Sequence, residues 1–108
     1  MKFITRLERN GGWQFHPLVV GKFTLSIQAS NSHYCTPRQE LLNAGDYSAF
    51  EVAIFEGDSW INPTNDERFE SLESDLKGRW DSSEHSVGAY IPAELVQRLY
   101  DLCEEVQA

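Results

Sequence analysis

Two stretches in which large apolar side chains recur at every second position constrain the fold of this chain most. In residues 22–29 the apolar side chains fall on every second position, at Phe23, Leu25, Ile27 and Ala29. Residues 47–55 repeat the pattern through Phe50, Val52 and Ile54. A period of two is typical of a β-strand with one buried and one polar face. The sequence therefore predicts two strands that share the inner face of an antiparallel sheet.

Shorter segments predict the remaining strands. Residues 2–7 form a short apolar run of strand character, and residues 13–20 follow the turn-forming sequence Asn10-Gly11-Gly12. Pro17 interrupts this second segment, which places it at a sheet edge or divides it in two. The sequence Glu56-Gly57-Asp58-Ser59 is a good hairpin connection into Trp60 and Ile61, and residues 86–91 are a candidate last strand.

Two segments have helical spacing instead. Between residues 64 and 80 the apolar side chains recur three and four apart, at Phe69, Leu72 and Leu76, which predicts one or two helical turns in an acidic connection. Pro92 opens a longer amphipathic helix whose apolar stripe is Leu95, Leu99, Leu102 and Val106, widened by Val96 and Cys103. We predict an α+β fold in one domain, residues 1–108, with an antiparallel sheet of about four or five strands and the C-terminal helix packed on one face.

The charge is distributed unevenly along the chain. Residues 1–45 carry five lysines and arginines against two acidic residues, whereas residues 46–108 carry four against fifteen, and the net charge is −8. A surface built from the second part is anionic, which disfavours direct contact with nucleic acid or with anionic membranes. The same surface favours a basic protein as a partner.

The chain begins without the apolar run of a signal peptide and contains no apolar stretch of the roughly 18 to 20 residues that span a bilayer. We therefore expect a cytoplasmic protein. Cys35 and Cys103 are too few for a disulfide framework, and free thiols are expected in a reducing compartment. The sequence contains no cofactor fingerprint, and no cofactor is predicted.

Two groups of residues raise the question of chemistry. His33 and Cys35 lie two residues apart in a polar loop, where an imidazole and a thiolate could couple as a nucleophile pair. An ordinary surface loop explains the same spacing. The acidic group Asp66, Glu67, Glu70 and Glu73 offers oxygen ligands for a cation, but a solvated acidic face is the expected reading, and no metal site is predicted.

The aromatic residues are more numerous than one face of a small sheet must bury. Phe23, Phe50 and Trp60 are core candidates, because burial is the default for large apolar groups. Aromatic rings also line ligand pockets and interfaces. The residues that we predict to bind a ligand are the aromatics Trp13, Tyr34 and Trp60, with His33 and Arg38 from the polar loop. Exposed aromatics of this kind also favour a homodimer, since a two-fold contact hides apolar surface.

The whole chain resembles small acidic orphan proteins of mobile genetic elements, such as integron gene cassettes and phage accessory genes. The segments that carry the resemblance are residues 23–30 with 33–38, and residues 50–55 with 60–63. It implies a compact α+β protein and no particular activity.

From these features we predict a non-enzymatic binding or interaction protein that recognises a small molecule or a cationic protein surface. One alternative is an anti-defence inhibitor whose acidic face imitates nucleic acid and blocks a basic protein. A second alternative is a small hydrolase or transferase that depends on Cys35 and His33.

Overall fold

The chain forms a five-stranded antiparallel sheet with helices packed on one of its faces. The structure is a computed structural model that describes residues 1–81 and 85–106. Its strands are β1 (Leu18–Val20), β2 (Phe23–Gln28), β3 (Ala49–Glu56), β4 (Ser59–Ile61) and β5 (Gly88–Pro92). The predicted α+β class, sheet and C-terminal helix are thus confirmed.

Strand β3 is the centre of the sheet. One of its edges pairs with β2, which pairs in turn with β1. The other edge is shared: the second half of β3 pairs with β4, so that Phe55 lies opposite Trp60, and the first half pairs with β5, so that Phe50 lies opposite Ile91. The register of β2 on β3 sets Leu25 beside Ile54. This register brings the two alternating patterns onto one inner face.

Residues 79–81 extend the sheet beyond β5. The N–H of Ala89 donates to the carbonyl of Arg79 at 2.9 Å, and the N–H of Asp81 donates to the carbonyl of Val87 at 3.2 Å. Gly88 lies between these two bonds, and the Trp80 ring packs against it. The added segment therefore borders β5 along its free edge.

The core lies between the inner face of the sheet and the longest helix, α3 (Ala93–Glu105). The inner-face residues of β2 and β3 are fully buried: Phe23, Leu25, Ile27, Phe50 and Ile54. Helix α3 buries Leu95, Val96, Leu99, Tyr100 and Cys103 against them. Burial of these side chains is the main stabilising contribution, at about 1.5–3 kcal/mol for each large apolar group. None of the described helices has the length and apolar character needed to cross a bilayer.

The N-terminal segment is helical, and our prediction of a strand over residues 2–7 is wrong. Helix α1 covers Lys2–Arg6, and its Phe3 is fully buried with its ring centroid 5.4 Å from that of Phe50. The backbone N–H of Phe3 donates to the side-chain oxygen of Gln97 on α3 at 3.2 Å. Phe3 and Leu7 are four residues apart, which suits one helical face as well as a short apolar run suits a strand.

The acidic connection after β4 contains the predicted short helical turns. A 3₁₀ segment covers Glu67–Leu72, and helix α2 covers Glu73–Leu76. Phe69, Leu72 and Leu76 are buried, as their spacing predicts. Another 3₁₀ turn, Ala44–Asp46, precedes β3.

Candidate functional site

The outer face of the sheet, opposite α3, is partly open to solvent. Along β3 it carries Glu51, Ala53 and Phe55, which alternate with the buried inner-face residues. The half-buried Phe55 ring lies 4.5 Å from the ring of Trp60 on β4, and Trp60 keeps 37% of its surface exposed. The core position that we considered for Trp60 is therefore wrong, because its register with Phe55 directs it to the outer face.

A cleft of about 290 Å³ lies beside β5. We name it the Tyr34 cleft, and its lining residues are Tyr34, Gly78, Arg79, Trp80, Asp81, Val87 and Ala89. The Trp80 ring packs against the α-carbon of Gly88 from one face of β5. Val87 and Ala89 flank Gly88, and because side chains alternate along a strand, theirs lie on the face opposite the Trp80 ring. The cleft thus combines half-buried apolar side chains with an aromatic ring and charged groups at its rim.

Backbone hydrogen bonds on both sides hold Tyr34 in place. Its N–H donates to the Glu51 carboxylate at 2.9 Å, and its carbonyl accepts from the N–H of Tyr90 at 3.0 Å. Further along the loop, the N–H of Thr36 donates to the carbonyl of Ala49 at 3.1 Å. The ring of Tyr34 is nevertheless 50% exposed. The loop therefore presents a fixed aromatic ring to solvent.

Cys35 anchors this loop from below. Cys35 is 1% exposed, and its single S–H has two carbonyl oxygens within hydrogen-bond reach of Sγ, that of Ser30 at 3.1 Å and that of Pro37 at 3.3 Å. Burial raises the pKa of the Cys35 thiol above its ordinary value. The His33 ring does not bond to Cys35: its Nδ1 lies 2.7 Å from the hydroxyl of Ser30. A buried, protonated thiol that bonds to carbonyl oxygens is a structural group and a poor nucleophile.

Two arginines adjoin Tyr34, and one of them lines the Tyr34 cleft. Arg79 lines it directly and donates through Nε to the carbonyl of Asp75 at 3.1 Å. Arg38 lies beside Tyr34, with its guanidinium carbon 5.3 Å from the ring centroid, and donates through Nε to the carbonyl of His33 at 3.1 Å. Neither arginine forms an ion pair with a carboxylate in the part of the chain that the structure describes.

Tyr90 closes one side of this cluster in a strained conformation. Its φ is +54°, a left-handed value that costs a non-glycine residue roughly 1–2 kcal/mol. The Tyr90 ring centroid lies 6.0 Å from that of Tyr34, and its carbonyl is 3.5 Å from Nη1 of Arg79. Strained residues of this kind cluster at binding sites, where the surrounding contacts hold them.

The structure brings together some of the predicted ligand-binding residues and separates others. Tyr34 lines the cleft and Arg38 lies against its ring, while His33 supports the loop through Ser30. Trp13 lies elsewhere, stacked on the Arg9 guanidinium at 5.1 Å. Trp60 is on the outer face, between Phe55 and the ring of His85, whose centroid is 5.0 Å away.

Sequence reasoning missed Arg79, Val87, Ala89 and Tyr90. Val87 and Ala89 fall within the predicted last strand, and their alternation with Gly88 could have assigned them to the outer face. No local pattern connects Arg79 to Tyr34, because the pairing of residues 79–81 with 87–89 creates that proximity.

The acidic connection contains a second, shallower groove of about 240 Å³. Asp66, Glu67, Glu70 and Glu73 line it, and the Asp66 carboxylate is paired with Arg68 at 2.7 Å. Within residues 1–81 and 85–106, no group of three histidine, cysteine or acidic side chains is arranged to hold a metal ion.

Comparisons of the chain with models of known protein families, with curated proteins and with solved structures give no match. The resemblance to small proteins of mobile genetic elements stays a prediction.

Proposed function

We propose that this protein is a non-enzymatic binding protein and that the Tyr34 cleft is its site for a small molecule. The observation that carries the proposal is the ring of Tyr34, which is 50% exposed although the backbone on both sides of it is hydrogen-bonded. A large aromatic group fixed at the rim of a concave surface is ready to contact a ligand without a further ordering cost.

The chemistry of the lining supports binding over catalysis. Among the residues that line the cleft, the polar side chains are Tyr34, Arg79, Trp80 and Asp81. The Asp81 carboxylate accepts the N–H of Val87 at 3.4 Å and so helps to hold the rim. The thiol of Cys35 is buried beneath the loop. These groups supply contact area and hydrogen bonds, which is what a binding site needs.

The proposal is tested by titrating the ¹⁵N-labelled protein with a library of small fragments and following amide chemical shifts. Ligands of the cleft should perturb Tyr34, Val87 and Ala89 together, and Tyr34→Ala should abolish these shifts. Trp13→Ala is the matched control, because Trp13 is a solvent-exposed aromatic outside the cleft. A library that leaves those amides unmoved, or hits that bind the Tyr34→Ala variant unchanged, would contradict the proposal.

A second candidate function, recognition of a basic protein, rests on Trp60. This side chain is 37% exposed on the outer face beside Phe55, and large aromatics in such positions often anchor protein interfaces. The net charge of −8 makes a partner with lysine and arginine at its rim the complementary one.

Selection of a phage-displayed random peptide library against the protein tests this candidate. We expect basic peptides that lose binding to Trp60→Ala and keep it to Trp13→Ala, since Trp13 is 38% exposed and Trp60 37%. Selected peptides that bind both variants equally would show that Trp60 is not the anchor.

The nucleic-acid-imitating inhibitor remains a further prediction, supported by the carboxylates of Glu67, Glu70 and Glu73 along one groove. It requires association with a basic nucleic-acid-binding protein that weakens steeply as salt rises. The homodimer likewise stays a prediction, which analytical ultracentrifugation addresses directly.

A further inference from the structure

We infer that the Tyr34 cleft selects a monocyclic aromatic carboxylate. This inference rests on the proposed function and names the class of ligand for the same site. Its evidence is the charge, the unused hydrogen-bond donors and the size of the cleft.

Most basic side chains of this protein already have a partner. Lys2, Lys22, Arg68 and Arg98 form ion pairs with carboxylates. Arg6 and Arg9 donate to carbonyl and hydroxyl oxygens of the fold. Within the described part of the chain Arg38 and Arg79, like Arg6, Arg9 and Lys77, form no ion pair with a carboxylate, and these two arginines are the ones that adjoin Tyr34. Two guanidinium groups thus adjoin the Tyr34 ring in a protein of net charge −8.

Both guanidinium groups also keep donors for a ligand. Arg38 uses its Nε on the carbonyl of His33, and its terminal nitrogens have no partner among the described residues. Arg79 uses Nε and Nη1, and its Nη2 has no hydrogen-bond partner within residues 1–81 and 85–106. Arginine terminal nitrogens are well suited to bind a carboxylate, with which they form short charge-assisted hydrogen bonds.

The remaining walls suit a flat apolar ring. Val87 and Ala89 are half-buried in the cleft, and the exposed ring of Tyr34 stands beside them. Aromatic groups favour contact with such a ring in stacked or edge-on geometry. A volume of about 290 Å³ is near the lower limit of small-molecule sites, so the ligand has about one ring.

Asp81 decides between the anions that arginine can bind. It lines the same cleft and adds a negative charge to the rim. Together with the Glu51 carboxylate at the N–H of Tyr34, it balances the charges of Arg38 and Arg79, so that no surplus positive charge compensates the second charge of a phosphate. A singly charged carboxylate is therefore favoured.

The test uses matched pairs of probes, each an aromatic carboxylate and its neutral carboxamide, beginning with benzoate and benzamide. Amide shifts of Tyr34, Val87 and Ala89 give the dissociation constants. We expect the carboxylate to bind at least about tenfold more tightly than its amide, because charge-assisted hydrogen bonds are lost with the charge. Phenyl phosphate should bind more weakly than benzoate.

Charge variants make the test specific to the site. Arg79→Gln should remove most of the preference for the carboxylate. If the Arg79→Gln protein does not fold, Arg38→Gln replaces it as the test variant and should reduce the preference. Lys77→Gln is the matched control: it removes the same charge two residues from Arg79, at an exposed side chain that does not line the cleft. The control should keep the preference.

The outcomes separate this inference from the proposed function. Suppose that fragments bind the cleft, but that carboxamides bind as tightly as carboxylates or that no aromatic carboxylate binds there. The ligand class is then wrong, and the binding function stands. An equal loss of preference in the Lys77→Gln protein would show that net charge, rather than Arg79, is responsible. If nothing in the fragment library reaches the cleft, both the class and the function fail.

Discussion

The Trp80 ring lies so close to the α-carbon of Gly88 that a β-carbon on Gly88 would come within 2.5 Å of ring atoms Cε3 and Cζ3. The indole is 8% exposed and belongs to the hydrophobic core, while Gly88 is paired with Val52 of β3. This contact fastens the segment of residues 79–81 to β5. The position of Arg79 at the Tyr34 cleft therefore depends on a glycine at residue 88.

We expect Gly88→Ala to destabilise the protein by about 1–3 kcal/mol, because the added methyl group overpacks a site that the Trp80 ring already fills. Urea unfolding followed by circular dichroism measures the loss. Gly12→Ala is the control, since the nearest atom to a β-carbon there is 3.6 Å away. Equal stability of the two variants would mean that the ring moves aside freely.

Arg9→Lys should destabilise the protein by roughly 1–3 kcal/mol. The Arg9 guanidinium donates to the carbonyls of Trp13 at 2.7 Å, Ala29 at 3.0 Å and Leu41 at 2.8 Å. Its guanidinium carbon also lies 3.8 Å from the centroid of the Phe15 ring, on which the planar group stacks. The compact ammonium of lysine can neither stack in this way nor reach the three carbonyls at once. Arg98→Lys, at an exposed single ion pair with Asp75, should change stability by less than about 0.5 kcal/mol. Thermal unfolding of both variants provides the comparison.

Both thiols should react slowly in the folded protein. Cys35 is 1% exposed and Cys103 fully buried, and burial raises the pKa of each above its ordinary value. Alkylation by iodoacetamide at mildly alkaline pH, followed by mass spectrometry, should therefore be slower than for a model thiol and should become fast in denaturant. Rapid alkylation of native Cys35 would instead support the nucleophile alternative.

Stability should fall at alkaline pH through Cys103. Burial raises the pKa of this thiol from 9.0 to about 12, so the folded protein holds the proton more tightly than the unfolded chain. The stabilisation is complete below pH 9.0 and is lost as the pH rises to about 12. The loss is up to roughly 4 kcal/mol. Between pH 9.0 and about 12 the free energy of unfolding should fall less steeply with pH for Cys103→Ala than for the parent protein. Cys35→Ala serves as the second reference.

Acid should destabilise the protein through the ion pairs of Arg68. Hydrogen bonds from Arg68 hold the pKa of Asp66 below 3.8 and that of Glu56 below 4.5. A lowered pKa stabilises the fold above the ordinary value, and the contribution is lost as the pH falls through the folded-state value. We expect Arg68→Gln to be less stable at neutral pH and to lose less stability than the parent on acidification. If the free energy of unfolding of both proteins falls equally with pH, the ion pairs of Arg68 are not the cause of the acid sensitivity.

The sequence predicted the strands and the last helix well where a local period repeats long enough. Strand β2 lies within the predicted stretch, β3 extends one residue beyond it to Glu56, and α3 begins one residue after the predicted start at Pro92. The strand prediction for residues 2–7 failed because a run of six residues fits both the strand period and the helix period. Packing of Phe3 on Phe50 decided in favour of the helix.

The candidate site was predictable only in its loop. Tyr34 and Arg38 are four residues apart, so their proximity follows from a compact loop. The sequence suggested Trp13 as another member of the site, but the structure stacks it on Arg9. No local pattern reveals that Arg9 donates to the carbonyls of three segments, at Trp13, Ala29 and Leu41.

By itself, the order of residues determined which side chains share a face, since strand and helix periods are properties of neighbouring backbone. It also determined the net charge of −8, on which the prediction of a basic protein partner rests. Only the tertiary structure decided that Arg79, Val87 and Ala89 meet Tyr34, that Trp60 faces solvent, and that Cys35 is buried. These contacts join segments tens of residues apart, and their free energy arises from burial and pairing that exist only once the sheet has closed.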